Sequence, residues 1–144
     1  MGHGDEIVIA DANFPASTMG PTVVRADGIG APSILEAILA HMPLDTFVDE
    51  AAWRMEVVGD PTAVPAVCVK FQSLVKKLAG DFEVMPIERF AFYERARSAA
   101  YIVATTEFQL YGNIILKKGS FGPGNSSPLI ATEDFQIGLD IPNL

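Results

Sequence analysis

Residues 7–15 read Ile7-Val8-Ile9-Ala10-Asp11-Ala12-Asn13-Phe14-Pro15, and this stretch decides the fold. Three β-branched residues in a row favour a buried strand, and Pro15 stops regular structure from continuing. The reading is a strand that delivers Asp11 to its end. Residues 16–32 hold Gly20-Pro21 and Asp27-Gly28, which are turn signals, so this stretch reads as loop with a short strand at Val23-Val24. Loops beside strand ends commonly carry sites.

Beyond this loop, Ile34, Leu35, Ile38, Leu39 and Met42 recur at helical spacing until Pro43, which predicts a helix. Ala52 to Val58 alternates, with Trp53, Met55 and Val57 on one face and Arg54 and Glu56 on the other, the period of a strand. Pro65 to Leu78 repeats helically through Val67, Val69, Phe71, Leu74 and Leu78, carries Lys76-Lys77 in its last turn and stops at Gly80. Glu88 to Ala99 reads as a third helix, followed by β-rich segments at Tyr101–Thr105 and Tyr111–Leu116. Strands and helices in this order predict a single α/β domain, a central mixed sheet flanked by helices. The domain is expected over 1–119, and the Gly, Ser and Pro-rich residues after Gly119 predict a flexible tail over 120–144.

Composition narrows the function. The chain of 144 residues is 49% hydrophobic and 19% charged, which suits one folded domain. Apolar runs are of strand length, well short of the roughly 20 residues a membrane helix needs. Eighteen acidic against ten basic residues give a net charge of −8, which repels phosphate backbones, so nucleic acid is not an expected partner. Cys68 is the only cysteine, so no intrachain disulfide can form, and a reducing cytoplasm is the expected compartment. Met1-Gly2-His3-Gly4-Asp5-Glu6 has no signal-peptide pattern.

Four islands carry reactive groups: His3 with Asp5 and Glu6, Asp11, Arg89 within Glu88–Arg95, and Tyr111-Gly112-Asn113. Each has a plain structural reading. His3 can be a solvated side chain, Asp11 a loop-capping carboxylate, Arg89 and Arg95 charges on an amphipathic helix, and Tyr111 to Asn113 a turn entering a strand. A metal site from His3, Asp5, Glu6 and Asp11 fits poorly, because one imidazole among carboxylates matches neither zinc nor calcium patterns. Cys68 lies in an amphipathic helix without a local base to activate it as a nucleophile.

Taken together and in order, Met1–Ile7, Ala10–Ala16, Arg25–Gly28, Leu44-Asp45-Thr46, Glu88–Ala96 and Tyr111–Gly119 resemble the L-fucose mutarotases, a branch of a superfamily that also holds D-ribose pyranase. The resemblance covers nearly all of residues 1–119. It implies a cofactor-free, metal-free isomerase that interconverts the α and β anomers of L-fucose by general acid–base ring opening and closing. His3 is then the proton donor. Asp11 and Tyr111 join it in the catalytic set, and Asp11, Arg89, Tyr111, Gly112 and Asn113 bind the sugar. A homo-oligomer with sites near subunit contacts is also implied. Relatives carry a helix ahead of the Gly-His-Gly-Asp-Glu motif, so His3 is expected at a fraying terminus, and Asp11 to bind sugar hydroxyls or tune the histidine. The alternatives are a pyranase acting on ribose, and a sugar-binding or assembly protein of the same fold without catalysis.

Overall fold

A computed structural model of the chain describes residues 1–122. The expected tail at 120–144 lies, from residue 123 on, outside the described residues. Six strands form one sheet: β1 (Glu6–Ala10), β2 (Thr22–Ala26), β3 (Ala52–Met55), β4 (Met85–Ile87), β5 (Tyr101–Thr105) and β6 (Ile114–Lys117), in the order β2-β5-β1-β6-β3-β4. β1 and β2 run parallel to β5, and β4 parallel to β3. β6 is inserted antiparallel between β1 and β3. The mixed α/β sheet expected from the sequence is therefore present, with five strands pointing one way.

Helices α1 (Ala31–Leu39) and α2 (Ala66–Leu78) cover one face of the sheet, burying Leu35, Leu39, Phe71 and Val75 against Ile9, Ile114 and Leu116. Helix α3 (Arg89–Arg97) and a 3₁₀ turn at Ala16–Thr18 cover the other, where Phe92 packs with Val8, Trp53, Ile102 and Ile115. Adjacent residues of β1 and β6 thus serve opposite cores, as the pleat requires. Both faces are covered, so these strands read as continuous apolar runs instead of alternating ones.

The departures from the sequence reading have local causes. β2 spans five residues where Val23-Val24 alone is predicted. It is a sheet edge with a largely exposed pattern, so it lacks the apolar signal of a buried strand. α1 starts at Ala31, three residues before the apolar stripe, because Pro32 is tolerated in a first turn whose N–H groups have no helical partner. β3 ends at Met55 instead of Val58, since Gly59 (φ 81°) turns the chain and Val57 bridges back to Asp60. β6 begins at Ile114, not Tyr111, because Tyr111 has φ 65° and cannot continue a strand. β4 is an unpredicted strand of three residues with a central proline, admissible because it is an edge.

Candidate active site

β1, β3 and β4 end on the same side of the sheet, where α/β folds commonly bind ligands. There a cavity of about 190 Å³ is lined by Asp11, Asn13, Phe14, Met55, Val58, Arg89, Tyr93, Leu110, Tyr111 and Asn113. Drug-sized ligands occupy about 300 to 1,000 Å³. This smaller space suits one sugar ring. A wider depression of about 610 Å³ lies along Gly4, Glu6, Glu94 and Arg95. Its cation is already committed, since Arg95 holds Glu6 through two bonds of 2.8 Å, so it offers less to a ligand.

Asp11 follows directly on β1. Its N–H donates to Asn113 Oδ1 (2.7 Å), and Asn113 Nδ2 donates back to Asp11 Oδ2 (3.2 Å). The Asn13 N–H donates to the other carboxylate oxygen at 3.0 Å. Burial pushes the Asp11 carboxyl above its ordinary range, and the bonds from Asn13, Phe14, Asn113 and Gly112 only partly oppose this. A carboxyl of this kind can accept hydrogen bonds from sugar hydroxyls or take up a proton.

Arg89 opens α3, whose first turn is fixed by Glu88: its Oε2 accepts from the N–H groups of Phe90 (2.9 Å) and Ala91 (3.1 Å). The Nε of Arg89 is buried without a hydrogen-bond partner among the described residues. An unpartnered buried donor costs about 1–3 kcal/mol. The Arg89 side chain also lines the cavity, so its guanidinium can offer donors to a ligand there.

Tyr111, Gly112 and Asn113 form a rigid loop before β6. Tyr111 is the one non-glycine residue with positive φ among the described residues, a conformation costing of order 1–3 kcal/mol that surrounding contacts must hold. Its hydroxyl accepts from Val58 N–H (3.1 Å), and its carbonyl accepts from the Cys68 thiol (3.5 Å). Gly112 leaves no room for a side chain: a Cβ there would stand 2.7 Å from Glu107 Cγ and 3.0 Å from Gln109 O. Glu107 is itself buried. It accepts from the N–H groups of Ala31 and Gln109, both at 3.1 Å, tying the loop to the start of α1.

His3 lies elsewhere. It precedes β1, whereas Asp11 follows it, and the five residues of β1 at about 3.3 Å each set the two ends about 17 Å apart. The histidine is not loose at a frayed end, as the sequence reading expects. Its Nε2 stands 3.1 Å from Asp45 Oδ1, and its ring meets Phe47 edge-on at 5.5 Å. Asp11 therefore does not tune His3 within one chain. Asp11, Arg89, Tyr111 and Asn113 converge on the cavity, Gly112 supports it, and His3 stays at the far end of the sheet. The aromatic and apolar wall of Phe14, Met55, Val58 and Tyr93 escapes the sequence reading, because such residues read as core. Arg95, taken there for a surface charge, stacks over the Trp53 ring at 3.5 Å and anchors α3 to β1.

Comparison with known proteins gives the chain's relatives. A fucose mutarotase of Bos taurus is 48% identical over 129 residues, covering 85% of this chain and 84% of its own. An L-fucose mutarotase of Actinobacillus pleuropneumoniae is 45% identical over 120 residues, covering 83% of each. Among solved structures, the fucose mutarotase of Streptococcus pneumoniae in complex with L-fucose superposes with a TM-score of 0.78 at 40% identity, covering 85% of this chain and 87% of that one. Residues 1–121 match the model of the RbsD / FucU transport protein family, and the chain belongs to that family.

Proposed function

We propose that this protein interconverts the α and β anomers of L-fucose, as an isomerase. The observation that carries the reading is a sugar-sized cavity lined by a carboxyl whose pKa burial raises (Asp11), a guanidinium (Arg89) and a phenol (Tyr111). Relatives named for this activity are 45% and 48% identical to it over 83% and 85% of the chain. The ribose alternative has less behind it, since the RbsD structure bound to D-ribose is only 21% identical.

The chemistry is redox-neutral and needs no cofactor to balance. A proton leaves the anomeric hydroxyl, its oxygen forms the carbonyl at C1, and the C1–O5 bond breaks. The ring oxygen takes both electrons of that bond and a proton. Rotation about C1–C2 and the reverse steps give the other anomer. Asp11 and Tyr111 are placed for hydroxyl protons, Arg89 holds hydroxyl oxygens, and His3 supplies the proton that moves. Positioned acid–base catalysis is worth about 10² to 10⁴ in rate, enough for a reaction that free sugars already undergo slowly.

His3 and the cavity occupy opposite ends of one chain, so this role requires a second copy. Phe47, which meets the His3 ring, is exposed, as are Val58 and Leu110, which line the cavity. We read these as two apolar collars that meet when copies associate head to tail, giving closed rings in which one copy's His3 completes its neighbour's site. Among the described residues no helix is long and apolar enough to cross a membrane. A lone buried thiol fits the cytoplasm as its compartment.

The reading is tested by saturation-transfer NMR of L-fucose, following magnetisation between the α and β anomeric protons. Accelerated exchange with the wild type and none with His3→Ala supports it. Tight L-fucose binding without acceleration would return the protein to the sugar-binding class.

A further inference from the structure

Glu107 does not line the sugar cavity, yet it is a glutamate only 8% exposed, set directly behind the loop that carries Tyr111 and Asn113. We propose that Glu107 is a positioning residue of the sugar site, one buried side chain that sets the distance between Asp11 and the Tyr111–Asn113 loop and fixes both to the start of α1. The inference rests on the reading of Asp11, Tyr111 and Asn113 as sugar-binding residues.

Three segments meet at this residue. On the Asp11 side, the Ala12 N–H donates to Glu107 O at 2.9 Å. The Glu107 N–H donates to Thr105 Oγ1 (3.1 Å), whose own proton goes to Ala10 O (2.7 Å). The neighbours of Asp11 on both sides are thereby held from residues 105 and 107. On the loop side, Oε2 accepts the Gln109 N–H at 3.1 Å, and Gln109 O accepts the Gly112 N–H at 3.3 Å. The other oxygen, Oε1, accepts the Ala31 N–H at 3.1 Å. The N-cap of α1 is Gly30, which has no side chain to offer, so a carboxylate 76 positions away caps that helix instead.

The stem of Glu107 acts by contact. A Cβ on Gly112 would stand 2.7 Å from Glu107 Cγ and 3.5 Å from Asp11 Cβ, so these two side chains close together on one side of Gly112. Asn113 follows, and it exchanges two hydrogen bonds with Asp11, at 2.7 and 3.2 Å. Removing the stem opens space into which the loop moves, and removing the carboxylate frees the turn at Gln109. Either change shifts Tyr111 and Asn113 against Asp11. The Ala31 amide, buried at the start of α1, would also lose its acceptor, which a buried donor tolerates poorly. Reacting groups displaced by about 1 Å lose about 10²-fold in rate, and supporting side chains are what hold them in place. Glu107 touches the site only through the backbone and Gly112, so its effect reaches the sugar through other residues.

The test separates positioning from fold stability. A residue that only stabilised the fold would lower Tm and leave the affinity and rate of the folded molecules unchanged. Glu107→Ala is expected to lower kcat/KM for anomer exchange by about 100-fold, and Glu107→Gln by about 10-fold, since its carboxamide keeps the stem and one acceptor. In ¹H–¹⁵N spectra the Asn113 side-chain amide, held by its bond to Asp11, is expected to lose its exchange protection in both variants while the core amides of α2 keep theirs. Gly112→Ala supplies the converse. Combined with Glu107→Ala, which removes Cγ and releases Gln109, it is expected to bind L-fucose as well as Glu107→Ala alone, the non-additivity of two residues in contact. Wild-type kcat/KM in Glu107→Gln, or a double variant that binds no better than Gly112→Ala, overturns the proposal and leaves the function standing, provided wild type is active. An inactive wild type refutes the functional reading instead. The Asn113 signal then decides: lost in the Glu107 variants it upholds the positioning, and unchanged it overturns it. Should Glu107→Ala fail to fold, Glu107→Gln decides by the same two readouts.

Discussion

The two ends of β1 carry carboxylates that the fold treats in opposite ways. Asp45, beside the start of β1, is buried but met by an amide, an imidazole and a lysine charge, and its pKa falls. Asp11, at the far end, is buried with weaker compensation, and its pKa rises. The first is an ion held in place. The second is a carboxyl kept less content as an ion than water would leave it, in a cavity lined also by an arginine whose buried Nε has no partner among the described residues and by a tyrosine forced to positive φ. Strain and incomplete pairing gather at the cavity and satisfied contacts at the histidine, which is the division expected between a ligand-binding surface and the support of a catalytic group.

This contrast can be broken most forcefully at His3. His3→Ala is expected to lower exchange by about 10² to 10⁴ without weakening L-fucose binding, measured by saturation transfer and by titration calorimetry. At the cavity end, Gly112→Ala is next, because its new Cβ collides with Glu107 and Gln109. It should displace Tyr111 and Asn113 and abolish measurable sugar binding, with a lower Tm. Arg89→Ala is expected to weaken binding by about 10- to 100-fold, the worth of a hydrogen bond from a charged donor. Binding within twofold of wild type would return Arg89 to the role of a surface charge. Tyr111→Phe removes the bond to Val58 N–H and should cost about 1 kcal/mol in denaturant stability.

The smallest effects sharpen the comparison through pH. A carboxyl with a lowered folded pKa stabilises above its unfolded value and loses that contribution as pH falls through the folded one. Asp45→Asn should therefore destabilise at neutral pH, with the difference from wild type shrinking below about pH 3.8, the ordinary aspartate value. Asp11 has the opposite sign: its contribution is full below the ordinary value and is lost as pH rises through its raised pKa. Asp11→Asn should compare more favourably with wild type at pH 7 than at pH 3, as urea titrations at the two pH values will show.

Much of this was legible in the sequence, for identifiable reasons. Buried strands such as Ile7–Ala10 and Ile114–Leu116 announce themselves because both sheet faces are covered, and α2 because its apolar stripe runs unbroken to Gly80. The edge strand β4 has three residues and a proline, so it leaves no periodic trace. Asp11, Arg89, Tyr111 and Asn113 were readable as a set only through the resemblance of their motifs, and the structure brings them to one cavity. Their spacing in the chain gives no hint that His3 lies at the other end. Leu44-Asp45-Thr46 carried the resemblance without showing a purpose, since the meeting of Asp45 with His3 spans 42 positions. Glu107 was missed because a glutamate after a strand reads as surface, whereas here its carboxylate accepts two backbone amides in the interior.

The central claim is that one chain's His3 works in another chain's cavity, and mixing two disabled variants tests it most directly. Assayed at L-fucose concentrations well below the wild-type Kd, His3→Ala and Arg89→Ala are each expected to keep about a tenth of wild-type activity or less. If they are unfolded together, refolded as a mixture and assayed for L-fucose anomer exchange, random head-to-tail assembly should leave about a quarter of the sites with both residues intact. Activity near a quarter of wild type is the predicted result. A mixture no more active than its separate components contradicts the account, and places His3 and the cavity in service of the same chain or of different functions.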